Sequence, residues 1–294
     1  MSTTSRVAVA SRADARTFRW ANIESVFVNV LLAVLAVLML VPFAWMIATS
    51  LKPPEEVMSL TPNWLPKKIV VGSFAEVWQK LPFGRFYLNS IFVAITASVS
   101  TVVLGSLTGY ALAKFEFPGR NLLFMLILAT MMVPVEVTFI PLYIMMADLG
   151  RVNTYQGLIA PTLMTGFGVF LMRQFSRTIP NDFIEAARID GASQIGIYAR
   201  VILPLTTPAL ATLAIFTLLA NWDAYLWPLI ITCSVLMKTI PLGIASYLQQ
   251  EAGYPARFNL IMAANLIGVL PVMLVFGSLQ RYFIKGIVAG GIKG

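Results

Sequence analysis

Six stretches of this chain are apolar for long enough to cross a bilayer, and no other feature limits the possible folds as strongly. They fall at roughly 24–49, 86–113, 120–147, 155–175, 206–232 and 260–284. The hydrocarbon core of a membrane takes about 20 helical residues. Inside lipid every backbone amide and carbonyl needs a partner from its own chain, so such segments are expected as helices. The expected fold is therefore all-α, a polytopic membrane protein with six transmembrane helices. Composition points the same way. Hydrophobic residues make up 58% and charged residues 12% of the 294, and mean hydropathy is +0.81. That is too little charge to coat a soluble globule of this size. The net charge of +8 does not indicate nucleic acid, because the basic residues scatter through the loops. There is no histidine and one cysteine, Cys233, which rules out an internal disulfide and leaves a Cys/His metal site unsupported. Cys233 reads as an inert residue at the end of a span.

The spans themselves carry local signals. Gly105 and Gly109 in the second have the spacing that lets helices pack closely. Pro134 and Pro141 interrupt the third, which predicts a kink packed against protein or a cavity. Met131, Met132, Met145 and Met146 read as packing filler.

The basic residues predict an orientation. With the N-terminus inside, thirteen lysines and arginines fall in cytoplasmic segments and eight in the longer outer segments. The positive-inside rule then puts both termini in the cytoplasm. Residues 1–23 read as a disordered cytoplasmic tail, with Arg6, Arg12, Arg16 and Arg19 anchoring the first span. That span is too long for a signal-peptide core. Residues 24–284 are expected to form the six-span membrane domain, and 285–294 a flexible cytoplasmic tail. Gly286 and Gly291 have the spacing of a phosphate loop, but Ile292 follows where lysine is needed and no strand precedes, so no nucleotide site is expected there. The first outer loop, about 50–85, holds five prolines with Trp64 and Trp78. It reads either as a cap or partner surface, or as a structured loop with interfacial tryptophans. A second outer loop covers 234–259, with Tyr247, Gly253, Tyr254 and Pro255.

Residues 180–204, PNDFIEAARIDGASQIGIYARVILP, form a polar island between the fourth and fifth spans. Orientation places it in the cytoplasm. It reads as two short helices about a glycine turn. Asn181 or Asp182 is expected to cap the first helix, with Phe183, Ile184, Ala187 and Ile189 as its apolar face. Gly191 stands where a left-handed residue should end that helix. Ser193 is expected to cap the second, which carries Ile195, Ile197, Tyr198, Val201 and Ile202, and Pro204 stops it or sets a bend. A plain alternative is a pair of amphipathic helices lying on the bilayer.

The spacing Glu185-Ala186-Ala187, three residues to Gly191, nine more to Val201-x-Leu203-Pro204 resembles the EAA loop of ABC importer permeases. The usual pattern has isoleucine where Val201 stands. With six spans, the WDAYLWPL segment and the basic tail, the chain resembles the carbohydrate, maltose-permease-like branch. The resemblance implies a cytoplasmic helix–turn–helix that docks into a groove of the ATPase subunit through Glu185, Ala186, Ala187, Asp190, Gly191, Ala192, Leu203 and Pro204. It further implies a second homologous permease, two ATPase subunits that hold ATP and Mg, and an extracytoplasmic solute-binding protein. This chain would hold no cofactor and catalyse no reaction. The implied location is the bacterial inner membrane. The implied solutes are oligosaccharides, disaccharides or glycerol-3-phosphate-like compounds.

Ionisable residues inside spans usually mark pathways or partners. Glu136 lies in the third span, and Asp223 in the fifth beside Asn221, Trp222, Tyr225 and Trp227. Such a cluster of rings, amides and acids suits sugar binding. It equally suits interhelical hydrogen bonding or an aromatic belt. Asn265 in the sixth span is a weaker candidate of the same kind. The rival function is an ion-coupled secondary transporter with Glu136 or Asp223 as relay. Against it stand the absence of histidine and the few acids in the spans.

Overall fold

The computed structural model describes the backbone of residues 4–57, 63–250 and 257–291, and side chains within 25–57, 63–247 and 257–278. Pro62 of the first loop, Gly253, Tyr254 and Pro255 of the second, and residues 292–294 lie outside the described residues. All regular structure among the described residues is helical. Three helices are individually long and apolar enough to cross a membrane: Ser25–Ser50, Phe83–Lys114 and Phe258–Ser278. Three more crossings arise only if helix pairs bent by 92°, 41° and 79° each count as one.

Two compact units divide the chain: residues 1–73 with 258–263, and residues 74–257 with 264–294. The first unit contains the helix Thr4–Ser50. The tail expected to be disordered is thus helical from Thr4. The reason is local: residues 4–41 contain neither glycine nor proline and are rich in alanine. Beyond it, Trp64 meets the Trp45 ring edge-on at 5.1 Å. Lys52 lies over that same ring at 4.6 Å and donates to the Asn63 carbonyl. Trp64 therefore belongs to a structured loop.

In the second unit, Phe83–Lys114 packs chiefly on Gly166–Thr178 and Thr207–Trp222. The two glycines of the second span make this possible. A β-carbon on Gly109 would stand 2.7 Å from the Arg173 amide nitrogen and 2.7 Å from the Met172 β-carbon, and one on Gly105 3.2 Å from the Gly168 carbonyl carbon. Only hydrogen fits in the first case.

The bends have chemical causes. In the third segment, Arg120–Thr130 stops before Pro134, whose ring disfavours helix at Val133. The turn Val135–Thr138 follows, and Phe139–Asp148 starts in a new direction. Pro141 causes no kink of its own. It sits in the first turn of that helix, where its missing amide would have had no partner. The fourth segment breaks between Tyr155–Thr162 and Gly166–Thr178. Thr165 caps the new helix by accepting from Gly168 N at 3.1 Å, and Thr101 Oγ1 donates to the Thr162 carbonyl at 2.8 Å. The fifth segment is not continuous over 206–232. Thr207–Trp222 ends at Asp223, and a separate short helix runs Leu226–Ile231. The second outer loop contains a helix, Ile240–Gln250.

The last helix, Phe258–Gly291, runs through the residues expected as a flexible tail. Gly286 and Gly291 are helical, not part of a phosphate loop. Of the four methionines, Met146 is core, while Met131, Met132 and Met145 are exposed.

Candidate functional site

The island folds as a knob. Its first helix is Asp182–Ile189. Asn181 does not cap it, because its Oδ1 accepts from Lys114 Nζ at 2.8 Å. Lys114 also donates to the Ile179 carbonyl at 2.5 Å, which ties the knob to the end of Phe83–Lys114. Asp182 and Glu185 lie in the first turn, where negative charge complements the helix dipole. The helix ends in a Schellman turn. Gly191 adopts φ +79°, its amide bonds to the Arg188 carbonyl at 3.1 Å, and the Ala192 amide bonds to the Ala187 carbonyl at 3.0 Å. Ser193 caps the second helix as expected, accepting from Gly196 N at 3.2 Å.

After Ile197 the helix widens. The Leu203 amide reaches back to the Tyr198 carbonyl, five residues away, over the turn Tyr198–Ile202. Pro204 lacks an amide and its ring crowds the carbonyl four residues earlier, so a wider turn relieves the clash. The direction change of 79° comes just after, between Leu205 and Thr207.

One face of the knob is locked. Ile184, Ile197 and Ile202 are buried against Tyr110 and Ile179. Tyr198 shares a hydrogen bond with Ser106 at 2.6 Å, and its ring lies 5.6 Å from that of Tyr110. The other face is bare. Ile189 is 86% exposed, Ile195 80% and Phe183 52%. The sequence groups Phe183 and Ile189 with Ile184 and Ala187 on one apolar face; in the structure Phe183 and Ile189 point outward and do not share the buried side. Helical spacing explains it: Ile184 and Ala187 share a side, while Phe183 and Ile189 fall off it. Glu185, Ala186, Asp190, Gly191 and Pro204 are also exposed, with Ala187, Ala192 and Leu203 half-buried.

The polar candidates in the spans come out differently. Asn221 Nδ2 donates to the Thr217 carbonyl of its own helix at 2.7 Å. Trp222 is buried and donates to the Gly268 carbonyl at 3.2 Å. Trp227 is buried and donates to the Gly157 carbonyl at 3.1 Å. Both tryptophans are structural anchors, not free stacking faces. Asp223 is exposed at the break after Trp222, and Tyr225 is half-buried. Glu136 is exposed in the turn Val135–Thr138. Among the described residues neither acid carries an ion pair. Two apolar grooves run beside Phe83–Lys114, one lined by Val99, Val102 and Ala214, the other by Ile91, Ala94 and Pro271. None of Asn221, Asp223, Tyr225 and Glu136 lines either groove.

Several polar anchors were missed from the sequence. Asn89 is fully buried, donates to the Leu236 and Lys238 carbonyls at 2.8 and 2.9 Å and accepts from Tyr155 OH at 2.6 Å. Asn153 Oδ1 accepts from the Cys233 and Ser234 amides, each at 3.0 Å. Arg173, one of the thirteen basic residues assigned to cytoplasmic segments, is buried. A lone asparagine in an apolar run was the only available signal for Asn89.

The profile of the family described as binding-protein-dependent transport system inner membrane component matches residues 101–288, which include the whole knob. The chain belongs to that family. This inner membrane component is 34% identical over 265 residues to the arabinooligosaccharides transport system permease protein AraQ of Halalkalibacterium halodurans, covering 89% of this chain and 94% of that protein. It is 34% identical over 270 residues to the sn-glycerol-3-phosphate transport system permease protein UgpE of Yersinia pestis, covering 90% and 95%. A crystal structure of a bacterial ABC transporter that imports the acidic polysaccharide alginate superposes with TM-score 0.80 at 25% identity, covering 90% of this chain and 98% of the matched chain. A second alginate transporter chain, 12% identical, shares the fold at TM-score 0.63. These likenesses support an ABC importer permease over an ion-coupled secondary carrier.

Proposed function

We propose that this membrane component is one half of the translocation pore of an ATP-driven importer for a sugar or sugar-like solute, and that the knob at 180–204 couples it to an ATPase. The single observation that carries the coupling role is the knob's division into a locked face and a bare apolar face. Phe183, Ile189 and Ile195 flank the exposed Gly191 turn. Covering such side chains is worth about 1.5–3 kcal/mol each, so a helix-accepting groove on a partner gains by taking them. Glu185 stands beside them, open to a cationic partner.

Counting each bent pair as one crossing gives six spans; the knob's first helix then lies between the fourth and fifth, and its second, within Gln194–Leu205, is the bent entry to the fifth. Both termini and the knob then face the cytoplasm, in line with the positive-inside bias. ATP and Mg belong to the ATPase subunits, whose closure moves the knob and rocks the spans between inward- and outward-open states. A second, homologous permease supplies the other half of the pore. A solute-binding protein delivers from outside. The relatives' solutes, arabinooligosaccharides and sn-glycerol-3-phosphate, set the class: polyhydroxylated, with or without charge. Asp223, with Asn221, Tyr225 and Glu136, is assigned to the pathway. Replacing Asp223 with alanine should lower uptake while leaving the ATPase bound; unchanged uptake would remove Asp223 from the pathway.

The direct test is purification of the tagged chain from its native membrane in mild detergent, with mass spectrometry of what accompanies it. A P-loop ATPase and a second permease are expected. A folded chain that emerges alone, with uptake that follows the proton gradient and survives ATP depletion, would overturn the proposal.

A further inference from the structure

Three arginines converge at one end of the second unit with no acid among them. The last turn of Phe83–Lys114 leaves carbonyls without intrahelical partners. Arg173 Nε donates to one of them, Leu112 O, at 3.2 Å. Its guanidinium carbon lies 3.7 Å from the centroid of the Phe124 ring. Arg173 is only 7% exposed. A guanidinium has five N–H donors, and among the described residues the structure gives Arg173 this one hydrogen bond and no carboxylate. Arg177 follows one turn later on the same side of its helix and is exposed. Arg120, half-buried, donates through Nη1 to the Phe115 carbonyl at 3.0 Å. The charges of Arg120 and Arg177 both bear on Arg173. Glu116, the acid closest in sequence to Arg120, is exposed and forms no ion pair among the described residues.

A buried cation requires a counter-charge, and a ring face supplies only part of one. Among the described residues no carboxylate supplies the remainder. The shape of the demand is specific. Planar guanidinium forks bind phosphate oxygens in pairs. Arg120 opens the helix Arg120–Thr130, whose preceding residue, Gly119, has no side chain to cap it, so the positive helix end adds to the field. The same helix presents Leu122, Leu123 and Leu126 as exposed apolar side chains beside Arg120. Phosphate-binding cations at helix ends, with bare leucines running away from them, fit a molecule that is anionic at one end and apolar along its length.

We propose that Arg120, Arg173 and Arg177 bind the phosphate of an anionic phospholipid whose acyl chains lie along Leu122 and Leu126. Beyond membrane insertion, the proposal borrows only one thing from the function above, the leaflet: the orientation assigned there makes it the inner one. Free phosphate shares the headgroup chemistry but would leave the leucines uncovered.

The test is native mass spectrometry of the delipidated full-length chain titrated with phosphatidylglycerol, with phosphatidylcholine, and with inorganic phosphate. Wild type should retain at least one phosphatidylglycerol tightly. The double variant R120Q/R177Q, which spares the buried Arg173, should retain it about tenfold more weakly or worse, since each basic group near a lipid surface contributes on the order of a fivefold affinity. K67Q/K68Q, an equal charge change at two exposed lysines elsewhere, should bind as wild type does. Phosphatidylglycerol retention that inorganic phosphate does not displace supports the lipid. Inorganic phosphate binding lost in R120Q/R177Q, without tight lipid retention, overturns the lipid in favour of a soluble phosphate. Equal phosphatidylglycerol retention in all three proteins overturns the site. Retention by the lone chain that vanishes on assembly with its partners assigns the arginines to a partner carboxylate and also overturns the lipid. The readout is binding to the chain itself, so a failure here is separate from any failure of the transport function.

Discussion

At the scale of single residues, the second unit is held by a few side chains whose value lies in size or hydrogen bonding, not charge. Gly109 is the sharpest case. A β-carbon there would meet the Met172 carbonyl carbon at 2.9 Å as well as the Arg173 amide, and backbone cannot swing aside as a side chain can. Gly109→Ala should therefore cost about 1–3 kcal/mol by overpacking, read as a lower melting temperature in detergent. Gly277 offers the matched control: nothing lies within 4 Å of its β-position, so Gly277→Ala should leave the melt unchanged or raise it slightly. Equal effects at both sites would mean that the helices tolerate separation. Asn89 shows the complementary device. Its three hydrogen bonds join Phe83–Lys114 to the segment before Ile240–Gln250 and to Tyr155, which explains why a fully polar group is stable at zero exposure.

At the scale of elements, the knob is two short helices that could not stand alone. Helices of eight and four residues are too short to be stable in water. They persist because Ile184, Ile197 and Ile202 are buried on Tyr110 and because Gly191 makes the reversal tight. A β-branched residue at φ +79° costs about 1–2 kcal/mol. Gly191→Val should keep the spans inserted while ATP hydrolysis runs uncoupled from uptake, measured as the ratio of solute moved to ATP consumed in proteoliposomes. An unchanged ratio would show that the turn's shape is not used. Glu185→Lys reverses an exposed charge on the bare face and should release the ATPase at lower salt than wild type during washing of the complex. Equal resistance to salt would place Glu185 off the contact.

At the scale of the whole molecule, orientation in the membrane decides which partner each end can meet. The chain brings its own probe. Cys233 is the sole cysteine and is exposed, and its own amide and that of Ser234 donate to Asn153 Oδ1. With both termini inside, a membrane-impermeant maleimide should label Cys233 in intact spheroplasts. In the C233S background, Ser193→Cys at the knob should label only after the membrane is opened. The reverse pattern would invert the topology and remove the knob from the ATPase side.

Much was determined by sequence alone, for the reason that it depends on local chemistry. Long apolar runs require helices, because lipid offers the backbone no partners. Gly191 and Ser193 required a turn and a cap, because φ above zero and a free first-turn amide are properties of one or two residues. The spacing around Glu185 carried the family. What lay beyond reach depended on neighbours distant in the chain. The sequence put Phe183 and Ile189 on one apolar face with Ile184 and Ala187, since an apolar side chain does not state what will cover it; packing on Tyr110 selected Ile184 and left Phe183 and Ile189 exposed. It placed Arg173 among the cytoplasmic charges without its burial, because only the meeting of Leu112, Phe124 and Gly109 encloses it. It joined 206–232 into one span, since hydropathy cannot see that Trp222 and Trp227 are pinned to carbonyls at Gly268 and Gly157. Burial and hydrogen-bond partners are properties of the assembled helices, and the tertiary structure alone decided them.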